Sequence, residues 1–128
     1  MDEQRMTLTE AEWTVMECLW ECPRTGREAA QWLSDNKGWS RSTSLTLIRR
    51  LEAKGAVADD MVSGIKCFRP LISRDDAAIR ETEDFLHRVY NGSVSLLVSS
   101  LTKKQALSKK EIDELYDILR EMEVKSDD

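Results

Sequence analysis

The stretch "GWSRSTSLTLIRRLEAKG", residues 38–55, decides the fold. Ser40 suits a helix N-cap, where a hydroxyl satisfies a free backbone amide, and Gly55 after Lys54 suits the left-handed residue that ends a helix. At about 100° per residue, Ser44, Leu47, Ile48 and Leu51 fall on one side. Ser42, Thr43, Thr46, Arg49 and Arg50 fall on the other, and Leu45 sits at the boundary with its side left open. The pattern predicts a helix over 41–54 with one apolar face and one face of hydroxyls and arginines. In and beside it, Lys37, Arg41, Arg49, Arg50 and Lys54 are opposed only by Glu52.

Working outward, "TEAE" places Glu12 three residues after Thr9, a capping box that predicts a first helix with Trp13, Met16, Leu19 and Trp20 on one face. Pro23 ends it, because proline disfavours helix in the residue before it. "TGRE" at 25–28 repeats the box and starts a second helix with Ala29, Ala30, Trp32 and Leu33 inward, and "DNKG" at 35–38 supplies its exit turn. After Gly55, "AVADDM" and "IKCFRPL" read as two strands joined by "VSG", with Pro70 tolerated only near a strand end or sheet edge. Three helices and a hairpin within some seventy residues make a winged helix-turn-helix pattern.

Beyond it, Ser73 with Asp76 opens a fourth helix, in which Ala78, Thr82, Phe85 and Val89 recur at spacings of four, three and four, and "NG" at 91–92 closes it. Val94, Leu97, Val98 and Leu101 mark a short helix. Ser108 with Glu111 caps a last one carrying Ile112, Leu115, Leu119 and Met122. The expected class is mainly α with a small β-hairpin wing: a winged-helix domain over 1–74 and a helical domain over 75–128. So short a helical module rarely supplies enough core alone, so self-association through Phe85, Val89, Leu97, Leu101, Ile112, Leu115 and Leu119 is expected, a two-fold dimer being the commonest form.

Charge is unevenly spread. The net charge is −5, yet residues 1–74 carry 11 Lys/Arg and 11 Asp/Glu, against 8 and 13 in the remainder. A locally basic helix on a neutral module fits a surface that meets a polyanion. The start "MDEQRM" has no basic and apolar leader pattern, and the longest charge-free stretch, 89–102, is too short to span a bilayer. With three cysteines and no leader, the expected setting is a reduced cytoplasm rather than a disulfide framework.

The helix 41–54 has the chemistry of a reader of the DNA major groove, where arginine matches guanine edges and short hydroxyls reach bases or phosphates. The plainer alternative is that Arg49 and Arg50 only solvate a surface helix. Lys66 and Arg69 on the second strand are placed to reach phosphates, though solvated strand charges are common. Cys18 and Cys22, four apart, could share a helix face, but a metal site needs more ligands, so no metal or cofactor is expected. His87 is the single histidine, expected on a helix surface or an interface. No nucleophile elbow, phosphate loop, HExxH or dinucleotide fingerprint occurs, which excludes the commonest enzyme signatures. Trp13, Trp20 and Trp32 read as core, and Trp39 lies at a turn. The competing function of another class is a winged helix that serves protein assembly without specific DNA affinity.

"LTEAEWTVMECLW", "GWSRSTSLTLIRRLEAKG", "FLHRVYNGSVSLLVSSL" and "LSKKEIDELYDIL", in this order over residues 7 to 120, resemble the penicillinase-repressor family of BlaI/MecI-like regulators, which has copper-responsive CopY-like relatives. The Glu12-Trp13 pair, "GWS" followed by Thr43, and "LI" followed by Arg50-Leu51 and Lys54-Gly55 are its more specific parts. The resemblance implies a homodimer that represses transcription by occupying a palindromic operator, each winged helix binding one half. It implies phosphate and base contacts from Ser40 and Thr43, and a DNA-facing side with Thr46 and Arg50; Arg41 and Arg49, expected beside them with Ser42, are basic where methicillin-type members are not, which bears on the sequence preferred. Methicillin-type members have Lys where this chain has Ser42 and Arg where it has Leu45, a departure that bears on the operator sequence rather than on docking. The resemblance further implies release by a membrane receptor protease system cutting the C-terminal domain. The matching position is Ser100-Leu101, where those members have Asn-Phe. The copper branch carries a cysteine cluster near its C-terminus, whereas no cysteine follows Cys67 here.

Overall fold

The computed structural model describes residues 7–104 and 106–126. In chain order these form α1 (Glu10–Glu21), β1 (Arg24–Thr25), α2 (Gly26–Lys37), α3 (Arg41–Lys54), β2 (Val57–Val62), β3 (Ile65–Pro70), α4 (Arg74–Tyr90), α5 (Val94–Lys103) and α6 (Lys109–Ser126). The chain divides into two compact units, one ending at Thr82 and the other beginning at Glu83. The expected boundary at 74/75 coincides with the start of α4, and the division itself lies within that helix.

In the first unit the chemistry of the helix ends sets the boundaries. Thr9 and Glu12 form a complete capping box on α1, and Thr25 and Glu28 form one on α2. α2 continues through Asp35–Lys37, beyond the exit expected at "DNKG", until Gly38 takes φ 72° and its amide reaches back to Leu33 and Ser34. Gly55, at φ 84°, ends α3 in the same way. Both positions require the left-handed backbone that glycine adopts without a Cβ clash.

Strands β2 and β3 pair antiparallel from Val57↔Pro70 to Val62↔Ile65. Ser63 and Gly64, at φ 52° and 80°, close the hairpin in two residues, a tighter turn than the three of "VSG". Two consecutive positive-φ residues match the right-handed twist of the strands. The sequence reading did not include β1, which pairs Arg24 with Phe68 and Thr25 with Cys67, giving a sheet ordered β1-β3-β2. A two-residue strand has no alternation to detect, so only its partner reveals it. The fold is a winged helix: three helices with a three-stranded antiparallel sheet.

Its core joins Val15, Met16, Cys18 and Leu19 of α1, Ala29 and Leu33 of α2, and Leu47, Ile48 and Leu51 of α3, closed by Val57 and Phe68 of the wing. The inward face of α1 differs from the expected one. Trp13, Trp20 and Trp32 are only half-buried, and of the three only Trp20 and Trp32 pack against the core. Each indole N–H donates outward: Trp13 to Glu17 at 3.0 Å, Trp20 to the Ile72 carbonyl at 2.9 Å, and Trp32 to Glu21 at 3.3 Å. An indole keeps its ring in the core and its N–H where a partner is available, which favours the edge. Trp13 and Trp20 meet edge to face at 5.1 Å, and Arg74 at the start of α4 lies over Trp13 while pairing with Glu17. That hydrogen bond from Arg74 holds the Glu17 carboxyl below its usual value, against a smaller burial effect.

The place on the buried face of α1 goes instead to Glu12, whose carboxylate Lys54 reaches from the last turn of α3. Lys54 Nζ also donates to the Thr7 carbonyl at 2.7 Å. Burial works against the Glu12 charge, but the Lys54 hydrogen bond and the Thr9 cap outweigh it and hold the carboxyl below its ordinary value. Ser44, fully buried on α3, has no hydrogen-bond partner for its hydroxyl among the described residues.

The second unit contains the end of α4 with α5 and α6. Ser93 caps α5, and Ser108 with Glu111 forms the expected reciprocal cap on α6. None of its described residues is buried. Val94, Leu119 and Met122 are 60%, 58% and 59% exposed, so the apolar stripes expected on these helices are uncovered in a single chain.

Because the Glu12 carboxyl is depressed by folding, its contribution is complete above the ordinary carboxylate value and is lost as pH falls through the lower folded one. Lys54→Met should destabilise the winged helix by about 2–4 kcal/mol at neutral pH, since it leaves a buried carboxylate uncompensated. In that variant stability should improve on mild acidification to about pH 5, where the wild-type pair still contributes in full. Urea denaturation at neutral pH and near pH 5 would check both, and an unchanged midpoint would refute the role given to the pair.

Candidate nucleic-acid interface

The interface is built on α3. Its buried residues are Ser44, Leu47, Ile48 and Leu51, the four expected, while Arg41, Ser42, Thr43, Thr46, Arg49 and Arg50 are exposed. The helix is therefore anchored along one side and presents the other. Arg41, Arg49 and Arg50 form no salt bridge among the described residues, so their guanidinium groups are available to a partner.

The start of α3 is electropositive by construction. Whereas α1 and α2 place glutamates in the first turn, α3 has Arg41 there and no acid. The partial positive charge of the helix terminus is left uncompensated and a full cation is added to it, an arrangement that favours an anion in front of the helix. Ser40 Oγ accepts from the Thr43 amide at 3.1 Å and lies 3.0 Å from Thr43 Oγ1, so both hydroxyls are held at that end.

Leu45, left open by the sequence, is half-buried and turns toward the start of α2. A Cβ at Gly26 would stand 3.3 Å from Leu45 Cδ2 and 3.6 Å from Phe68 Cε2, so glycine permits this close approach of helix, helix and wing. Beside it an open groove of about 860 Å³ runs between α2, α3 and β3, lined by Arg27, Arg41, Leu45, Ile65 and Lys66 among others. Sequence reading missed Arg27. The available signal was a base in the first turn of α2, where it opposes the helix dipole and so gains nothing locally.

The two wing cations differ from those of α3. Lys66 Nζ lies 3.6 Å from Asp59 Oδ2, and Arg69 Nε lies 2.7 Å from Asp60 Oδ2. Both are exposed, but neither charge is free of a partner. Glu52 on α3 also hydrogen-bonds Asp59, which, with some burial, pushes the Glu52 carboxyl up; Glu52 and Lys66 hold Asp59 down.

The profile of the family described as penicillinase repressor matches residues 8–121. The chain belongs to the penicillinase repressor family. The methicillin resistance regulatory protein MecI of Staphylococcus aureus (strain N315) is 31% identical over 120 residues, which span 93% of this chain and 98% of that one. The penicillinase repressor of Bacillus licheniformis is 32% identical over 115 residues, 89% and 90% of the two chains. Two solution structures of BlaI align with 56% of this chain at 28% identity. One is its DNA-binding domain, with a TM-score of 0.50 over 93% of that domain. The other is the monomeric B. licheniformis form in complex with the blaP half-operator, with a TM-score of 0.51 over 88% of that chain. The penicillinase repressor family is one of transcriptional repressors, not of enzymes.

Phe85, Val89, Leu101, Ile112 and Leu119 are exposed, and Leu97 and Leu115 half-buried. Ser100 and Leu101 both lie within α5. Cys18 is buried, which pushes its thiol up to about 11; Cys22 is exposed and Cys67 half-buried, and all three are free thiols. Among the described residues no group of three or more His, Cys, Asp or Glu side chains is placed to hold a metal ion. His87 is exposed near Gly92, and no described helix is long and apolar enough to cross a membrane.

Ser40→Ala should lower stability by about 1 kcal/mol through loss of the α3 cap, and Ser40→Asp, which restores a capping oxygen, should recover most of it. Thermal unfolding of the three proteins would check this, and equal midpoints for wild type and Ser40→Ala would contradict the capping role.

Proposed function

We propose that the protein is a homodimeric transcriptional repressor that binds a palindromic operator, with α3 of each copy entering the major groove of one half-site. One observation carries the reading: α3 is anchored by a buried face while its opposite face presents serines, threonines and three exposed arginines that form no salt bridge among the described residues, behind an uncompensated helix start. Arg50 is suited to a guanine edge and Thr43 and Thr46 to bases or phosphates, with Ser40, Arg41, Ser42 and Arg49 around them. Membership of a repressor family, and the related BlaI bound to a half-operator, support the same surface.

Dimerisation by the second unit is supported by the exposed Phe85, Val89, Leu101, Ile112 and Leu119, with the half-buried Leu97 and Leu115 beside them, which a second copy would remove from water. Repression would end when an inducing signal breaks that dimer. Cleavage between Ser100 and Leu101 by a membrane receptor protease system is one such signal. It requires local unwinding of α5, because a protease takes its substrate extended. The cytoplasm is the corresponding location, and no cofactor is required.

Arg50→Ala and Thr43→Ala should each weaken binding to the protein's own promoter region by about 1–3 kcal/mol for the lost contact. Fluorescence anisotropy would measure it; unchanged affinity in both variants would remove the role given to α3. Promoter binding no tighter than binding to random DNA would favour the assembly module instead. Leu115→Glu should yield a monomer by sedimentation, with much weaker operator binding, and an intact dimer would contradict the assignment of the second unit.

A further inference from the structure

The wing differs in kind from α3. Cross-strand partners share a face of the ladder, so Asp59 lies on the face of Phe68 and, two residues along, of Lys66. Asp60 lies on the other face, with Cys67 and Arg69. Each face of the hairpin therefore carries one acid and one base, joined at 3.6 Å and 2.7 Å. Residues 57–70 contain these two acids and two bases and no others, so their net charge is zero.

We propose that Asp59 and Asp60 limit DNA affinity by holding the wing electrically silent, so that phosphate attraction comes from the helices alone. The inference rests on the DNA-binding reading given above. An exposed ion pair is weak, and Lys66 or Arg69 can leave its carboxylate for a phosphate. The abandoned carboxylate then stands beside the polyanion, and its repulsion offsets the new attraction. Whichever partner the cation takes, the wing releases no net counter-ions, and counter-ion release supplies most of the affinity for DNA of arbitrary sequence. A half-site held without this contribution is held weakly, which makes operator occupancy depend more steeply on the dimer.

The test uses the full chain titrated onto a random-sequence duplex over a series of salt concentrations, with thermal unfolding to confirm each variant is folded. D59N/D60N should tighten binding roughly ten-fold at physiological salt and steepen the plot of log affinity against log salt by about 0.9 for each cation set free. The quadruple variant D59N/D60N/K66A/R69A, again with a neutral wing, should return to the wild-type slope. An unchanged slope in D59N/D60N, or a quadruple variant with a shallower slope than wild type, would overturn the inference while leaving DNA binding intact. Absence of any salt-dependent binding by the wild-type chain would overturn the DNA-binding reading, and this inference with it.

Discussion

The ion pair between Glu12 and Lys54 is the constraint on which the geometry of α3 depends. It closes the distance between the first turn of α1 and the last turn of α3, and it does so inside the core's edge, where a charge without a partner is not tolerated. Glu12 has two functions at once, because the same carboxylate completes the cap of α1 through the Thr9 amide. The entry of one helix and the exit of another are thereby locked to a common atom. A purely apolar contact at this place would fill the volume without fixing where α3 ends relative to α1.

That pair also explains where the sequence could and could not be read. The caps at Thr9, Thr25, Ser40 and Ser108, with Gly38 and Gly55, are local chemistry, and they place the helix ends they mark nearly to the residue. The split of α3 into buried and exposed sides was legible for the same reason, since periodicity is a property of one helix. The side taken by Leu45 was not, because it depends on Gly26 and Phe68 from other elements. Hydrophobicity favoured three tryptophans for the core and left Glu12 outside, whereas the need of each indole N–H for an acceptor and of Lys54 for an anion reversed the order. β1 exists only through its pairing with β3, so nothing in two residues announces it.

The candidate site was legible to a different degree in each part. Residue types and spacing identified the surface of α3, where Arg41, Arg49 and Arg50 are exposed and form no salt bridge among the described residues. The same residue types on the wing carry less meaning, because their partners lie across a ladder whose register the sequence does not state. Arg27 carries no signal of its own in the sequence, because the capping box already accounts for the start of α2; the groove beside Arg41 gives it a setting. Charge can be counted along a chain, but whether it is available depends on what stands opposite.

All four tryptophans lie in the first unit, whereas the chain after Thr82 has Tyr90 and Tyr116 as its fluorescent side chains besides phenylalanine. The two units are thus optically distinct. Light absorbed only by indole reports on the winged helix, most directly through the Trp13–Trp20 contact that the Arg74–Glu17 bridge covers. A change confined to the second unit would be registered by its tyrosines. The chain carries its own pair of spectroscopic labels, one for each unit.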